Sequence, residues 1–178
     1  GGGTASKSVA ENQTAVTTVA ASDPDSGTTL TYSKVGGADQ AKFSITSSGV
    51  LQFNASAFTH FGPNYEFPTD SNMNNTYVVT VRVSDGSLHD EQTITVTVTD
   101  VNDAPYITSL GGGATASKSV SENQTAVLWV SGVDADGDAI TYSITGGADQ
   151  SKFSINPSTG AVTFNSAANY ESPTDNGG

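Results

Sequence analysis

The sequence predicts an all-β fold: tandem Greek-key β-sandwiches, the second copy lacking its last two strands. Three observations predict it. A long segment of the chain returns later in the chain, short runs alternate apolar and polar residues between turn-forming clusters, and no stretch shows a convincing helical period.

The repeat sets the organisation. Ser6-Lys7-Ser8-Val9-Ala10-Glu11-Asn12-Gln13-Thr14-Ala15-Val16 returns as Ser117-Lys118-Ser119-Val120-Ser121-Glu122-Asn123-Gln124-Thr125-Ala126-Val127, an offset of 111 residues. Gly36 to Gln40 returns at Gly146 to Gln150, and Lys42 to Ile45 at Lys152 to Ile155. Asn64-Tyr65-Glu66 returns at Asn169-Tyr170-Glu171 with the offset reduced to 105, so the first copy carries six extra residues between Asn54 and Asn64. The expected domains are a complete repeat over 1–104 and a truncated one over 105–178.

In order, the first copy reads as seven strands, near Ser6–Ala10, Ala15–Ala21, Thr29–Val35, Lys42–Ile45, Val50–Phe53, Thr76–Ser84 and Gln92–Thr99. The last two alternate most cleanly. Tyr77, Val79, Val81 and Val83 share one face of the first, and Ile94, Val96 and Val98 one face of the second. Ser84-Asp85-Gly86-Ser87 begins the turn between them. The second copy stops at Gly178 without counterparts of these two strands, which in a Greek-key sandwich form the middle of one sheet. Their loss exposes core and unpaired backbone, so this copy is not expected to be stable alone. Clipping of the chain, strands from another chain and an intervening inserted domain all fit that reading.

Composition narrows the function classes. Only 35% of residues are hydrophobic, which suits thin sandwiches with one wet face per sheet; the alternating segments argue against disorder, the competing reading of an acidic, Gly-rich chain. With 18 acidic and 6 basic residues the net charge is −12, which argues against nucleic acid and against docking on anionic lipid. No apolar run is long enough for membrane insertion, and no cysteine is present for disulfides. The N-terminus, Gly1-Gly2-Gly3-Thr4, shows no signal peptide, so the piece is expected to come from inside a longer protein.

The carboxylates recur in inter-strand loops. The first copy has Glu11, Asp23-Pro24-Asp25, Asn64-Tyr65-Glu66, Asp70, Asp85 and Asp100-Val101-Asn102-Asp103-Ala104-Pro105; the second has Glu122, Asp134-Ala135-Asp136-Gly137-Asp138, Asn169-Tyr170-Glu171 and Asp175. Like charges held close together cost energy unless a cation neutralises them, and Asp, Glu and Asn without Cys or His suit a hard cation such as Ca²⁺. An isolated Asp-x-Asp is ordinary turn chemistry. The run from Asp134 resembles part of an EF-hand loop, but it lacks flanking helices and the closing Glu.

Glu-Asn-Gln, Asp-Pro-Asp or Asp-Ala-Asp, Asn-Tyr-Glu, Ser-Asp-Gly and the linker Asp100 to Pro105 occur in that order. Together they resemble cadherin repeats, in the form common in large bacterial surface proteins. The resemblance implies an immunoglobulin-like sandwich, an extracellular or cell-surface setting, and calcium ions at the junction of successive repeats. By that resemblance the ligands are Glu11, Asn64 and Glu66 from the first repeat, Asp100, Asn102 and Asp103 with the carbonyls of Val101 and Ala104 from the linker, and Asp134 and Asp136 from the second. Asn64 stands where the family usually has Asp, and Ala104 where it has Asn. Asp23, Asp25 and Asp85 form one half site, and Glu122, Asn169 and Glu171 another.

Other features point elsewhere only weakly. Nothing anchors a nucleophile elbow, His60 and His89 read as single loop residues, and calcium accounts for the carboxylates better than glycoside hydrolysis; the expectation is therefore not an enzyme. Trp129 reads as core. Asn12, Asn54, Asn74 and Asn123 head formal glycosylation motifs, an expression of Asn and Thr richness. Phe58, His60 and Phe61, in the six-residue insertion, are candidates for stacking on polysaccharide rings, against a simpler reading as a lid on the sandwich end. The expected function is a calcium-rigidified module of a secreted or surface adhesin, extending a rod or pairing with neighbouring repeats or like modules; the alternative is carbohydrate binding. Residues 106–178 in isolation are expected to show no cooperative melt by circular dichroism, and a sharp transition would overturn that expectation.

Overall fold

The computed structural model describes residues 2–25, 27–59 and 61–175. It divides into two compact units, Gly1–Val101 and Asn102–Gly178. Among the described residues there is no α-helix, only strands and short 3₁₀ turns.

Unit 1 contains β1 (Gly3–Ala10), β2 (Ala15–Thr18), β3 (Thr31–Gly36), β4 (Phe43–Ile45), β5 (Val50–Phe53), β6 (Thr76–Ser84) and β7 (His89–Thr99). They form a four-stranded sheet ordered β1-β7-β6-β3 and a three-stranded sheet ordered β2-β5-β4. All seven expected strands are present, with shifted ends. β1 starts at Gly3 because its parallel ladder with β7 runs on to Gly3 opposite Gln92. β2 ends at Thr18, where its pairing with β5 ends, and Lys42 falls in a 3₁₀ turn. His89, read from sequence as a loop residue, instead opens β7, because the ladder with β6 extends to Ser84 opposite His89.

Period-2 alternation explains the core. Tyr77, Val79 and Val81 of β6 and Ile94, Val96 and Val98 of β7 point inward and are at most 3% exposed. They meet Phe43, Leu51 and Phe53 from the other sheet. Phe43 and Phe53 stack at 4.8 Å, and Tyr77 meets Phe53 edge-on at 5.2 Å. The Tyr77 hydroxyl accepts the Thr69 N–H at 3.2 Å, so this buried ring keeps its polar end satisfied. On the outer face Thr80 and Thr93 hydroxyls meet at 3.1 Å, and Arg82 Nε donates to Glu91 Oε1 at 2.8 Å.

Unit 2 contains β8 (Tyr106–Ile107), β9 (Ala126–Trp129), β10 (Gly132–Val133), β11 (Phe153–Ile155) and β12 (Ala161–Phe164). β11-β12-β9 reproduces the β4-β5-β2 sheet, and β8 pairs with β10. The counterparts of β1 and β3, residues 114–121 and 141–146, form no strand. Their ladder partners in unit 1 are β7 and β6, which have no counterpart in residues 102–178. Val120, Val127, Phe153, Val162 and Phe164 are consequently only half-buried, whereas Val9, Val16, Phe43, Leu51 and Phe53 are at most 7% exposed.

Trp129 corrects the sequence expectation: it is 71% exposed, not core. It matches the exposed Thr18 of β2, so the strand phase that turns Val127 inward leaves Trp129 facing out. Phe53→Ala, which removes the ring at the centre of the aromatic cluster, is expected to destabilise unit 1 by about 3–5 kcal/mol in urea unfolding.

Candidate metal centre

Strand direction builds the first acidic cluster. Because β1 and β7 are parallel, with Ala10 opposite Thr99, their C-terminal ends lie side by side. The next residues, Glu11 and Asp100, are therefore neighbours, and Glu11 N–H donates to the Thr99 carbonyl at 3.0 Å. Asn12 takes a positive φ of 58° and donates its N–H to the Pro63 carbonyl at 2.8 Å, which brings the Asn64-Tyr65-Glu66 loop alongside. Asn64 Oδ1 accepts the Phe67 N–H at 2.7 Å and shapes that loop.

The result is a set of carboxylates, Glu11, Glu66 and Asp100, with an oxygen from each within 4.8 Å of the others. Glu11 is only 2% exposed. Its Oε1 accepts the Val101 N–H and its Oε2 the Tyr65 N–H, both at 2.9 Å, so it ties the linker and the loop to the strand end. Among the described residues no Lys, Arg or His pairs with Glu11. A buried carboxylate beside two others favours a cation, and an all-oxygen donor set suits a hard one such as Ca²⁺.

Unit 2 carries its own cluster. Asp134 Oδ1 accepts the N–H groups of Asp136 and Asp138, each at 3.1 Å, folding Asp134 to Asp138 into a tight loop. Asp136 Oδ2 accepts the Asp103 N–H at 2.6 Å, so the linker docks on that loop. Asn102 Nδ2 donates to the Asp103 carbonyl at 3.1 Å, and Ala104 is exposed.

The two sets of residues expected as half sites differ in their surroundings. Asp23, Asp25 and Asp85 line one cavity of about 210 Å³, together with Asp90, which sequence reading missed. The signal was available: extending β7 to His89 puts Asp90 opposite Val83, next to the Ser-Asp-Gly turn. Asp85 Oδ1 accepts the N–H groups of Ser87 and Leu88 at 2.6 Å, and these bonds, Leu88 first, hold its carboxyl below the ordinary aspartate value. At the other end Glu122 Oε2 accepts the Tyr170 N–H at 3.2 Å, repeating the Glu11–Tyr65 bond, although Glu122 is exposed. Asn169 Oδ1 caps the N–H groups of Glu171 and Ser172 as Asn64 caps Phe67.

The aromatic candidates separate. Phe58 is not an exposed stacking surface: it packs edge-on to Phe53 at 5.6 Å, under Lys42 Nζ at 5.0 Å, as a lid on the core. The physical reason is that the inserted loop closes over the sandwich end, where Lys42 Nζ donates to the Ala57 carbonyl at 3.0 Å. Phe61 is 87% exposed, and His60 lies outside the described residues.

The described residues thus form an all-β chain whose strand-end loops gather carboxylates around a buried glutamate. No family model matches the chain. It is 33% identical over 174 residues to the Protocadherin-like wing polarity protein stan of Drosophila melanogaster, a match covering 89% of this chain and 4% of that protein. It is 32% identical over 149 residues to Protocadherin Fat 1 of Homo sapiens, covering 80% of this chain and 3% of that protein. The chain thus spans only a few per cent of the curated relatives it matches. Its fold matches the solved extracellular domains 1–4 of Drosophila N-cadherin with a TM-score of 0.55 at 15% identity, over 94% of this chain and 41% of that one. The chain is cadherin-like in sequence and in fold. No helix among the described residues is long and apolar enough to cross a membrane.

In calcium-free buffer the Asp85 carboxyl is expected to titrate below the ordinary aspartate value by NMR. The sign follows from a depressed folded-state value. The turn's stabilisation is fully present above the unfolded value and is lost as pH falls through the lower folded one. A midpoint at or above the ordinary aspartate value contradicts the two-bond geometry.

Proposed function

We propose that this chain is a calcium-rigidified module of a surface or secreted adhesin, of the bacterial form that its ordered acidic motifs resemble, in which tandem cadherin-like repeats extend a rod or pair with like repeats. The observation that carries the reading is the Glu11–Glu66–Asp100 carboxylate cluster built around a glutamate that is 2% exposed. Calcium accepts oxygen ligands in flexible geometry, which suits carboxylates supplied by a strand end, a loop and a linker. Glu11, Asn64, Glu66, Asp100 and the Val101 carbonyl are the ligands proposed from unit 1. Asn102, Asp103, the Ala104 carbonyl, Asp134 and Asp136 are those proposed from unit 2. The covalent step from Val101 to Asn102 joins the two sets.

Bound calcium would neutralise the clustered carboxylates and hold the linker between two rigid anchoring points. Without it, like charge at the linker favours opening. This role is structural: it needs fixed ligands and a stiff linker, with no bond made or broken. Asp23, Asp25 and Asp85 would serve the same purpose toward a preceding repeat.

Extracellular calcium modules bind in the range of about 10⁻⁴ to 10⁻³ M. Tenfold excess over that constant stabilises the folded state by about 1.4 kcal/mol per site. For a sandwich of this size that corresponds to a rise in melting temperature of about 5–10 °C. Calorimetry should show this rise on adding millimolar calcium and its reversal by EDTA, and small-angle scattering should show a longer, narrower distribution of dimensions with calcium. Glu11→Ala should abolish both responses. Identical melting and dimensions in calcium and EDTA would sink the proposal.

A further inference from the structure

Tyr65 is held by both of its backbone polar groups. Glu11 Oε2 accepts its N–H at 2.9 Å. Asn75 Nδ2 donates to its carbonyl at 2.8 Å. That carbonyl belongs to the same planar, stiff peptide unit as the Glu66 N–H. Gripping Tyr65 on both sides therefore fixes the backbone from which the Glu66 carboxylate extends.

Asn75 can do this because its own backbone is anchored. Its carbonyl accepts the N–H of Val98, two residues before Asp100, at 2.9 Å. Its N–H donates to Asp70 Oδ1 at 3.1 Å, and Asp70 Oδ2 accepts the Asn74 N–H at 2.9 Å. Asp70 is only 4% exposed, so a buried carboxylate braces this turn. Between these anchors Asn75 takes a φ of 63°, in the left-handed region that asparagine tolerates better than most residues. Its Oδ1 is buried with no hydrogen-bond partner among the described residues. The reverse amide orientation would set that oxygen against the Tyr65 carbonyl, acceptor against acceptor. The side chain thus leaves one buried acceptor unpaired to keep its donor on Tyr65.

We infer that Asn75 is a positioning residue of the Glu11–Glu66–Asp100 cluster: it ties the Tyr65–Glu66 peptide to the end of β7 and so strengthens calcium binding without touching the cation. The inference rests on the calcium reading of that cluster, and it adds a residue that no acidic motif marks. Groups that orient the ligands of a metal tune its affinity through those ligands.

Two substitutions separate this role from its alternatives. Asn75→Gly keeps the left-handed backbone and loses the donor. Asn75→Asp keeps the backbone too, but it exchanges the donor for an acceptor and adds a negative charge near the cluster. Calcium is titrated into the whole 178-residue chain and followed by NMR at the Glu66 and Asp100 amides, so that the constant read belongs to this cluster. Both variants should bind about tenfold more weakly than the unsubstituted chain. A residue serving stability alone would lower the melting temperature in EDTA and leave the calcium constant unchanged. A residue acting as a ligand or through charge would make Asn75→Asp bind more tightly. Either result overturns the inference.

A third measurement needs no substitution. Coupling is reciprocal, so calcium must strengthen the bond that strengthens calcium binding. The Asn75 side-chain amide protons of the unsubstituted chain should exchange more slowly with calcium than in EDTA, and equal rates overturn the inference even where a variant fails to fold. If calcium shifts neither Glu66 nor Asp100 in the unsubstituted chain, the calcium reading itself fails and the inference falls with it. Shifts there with undiminished affinity in both variants remove the role of Asn75 alone.

Discussion

Between Thr76 and Thr99 two long antiparallel strands run through the middle of the larger sheet, and the outer strands β1 and β3 take their ladder bonds from them. Among the described residues this pair supplies six of the eleven buried hydrophobic side chains, from Tyr77 to Val98. β1 runs parallel to β7 along its whole length. Where the pair exists, the sandwich closes around Phe43, Leu51 and Phe53. Where it is missing, the smaller sheet still forms, but 114–121 and 141–146 lose the partners that would make them strands.

The candidate metal centre inherits its geometry from the same constraint. Parallel β1 and β7 end side by side, so the residues that follow them, Glu11 and Asp100, meet without any further device. Glu11 then uses both carboxylate oxygens to fasten the linker at Val101 and the loop at Tyr65. A buried glutamate in that position both organises loops through its hydrogen bonds and adds the negative charge that a cation would offset. Glu122 makes the matching bond to Tyr170 yet stays exposed, because no β7 counterpart lies beside it in residues 102–178.

Much of this was legible in the chain itself. Valine and threonine at period two in 76–84 and 92–99 disclosed the strongest strands, and the inward face read from that alternation is the one buried. The ordered acidic motifs named Glu11, Glu66 and Asp100 before their oxygens were known to gather. Other features were not legible. Trp129 was misjudged because hydrophobicity says nothing about strand phase once a strand is only four residues long. For Phe58 the simpler sequence reading is a lid on the sandwich end, and what the sequence leaves out is its packing partners, Phe53 and Tyr77.

What the sequence alone determined is therefore local and periodic: where strands lie, which of their faces are apolar, and which loops hold carboxylates. Each of these depends on residue spacing along a single segment. What only the tertiary structure decided is which distant ends meet. Glu11 and Asp100 are joined by a parallel register, Asp136 captures the linker amide of Asp103, and Phe58 folds inward. These outcomes follow from pairing between segments far apart in the chain, where backbone hydrogen bonding and core packing choose the partner and no local pattern records the choice.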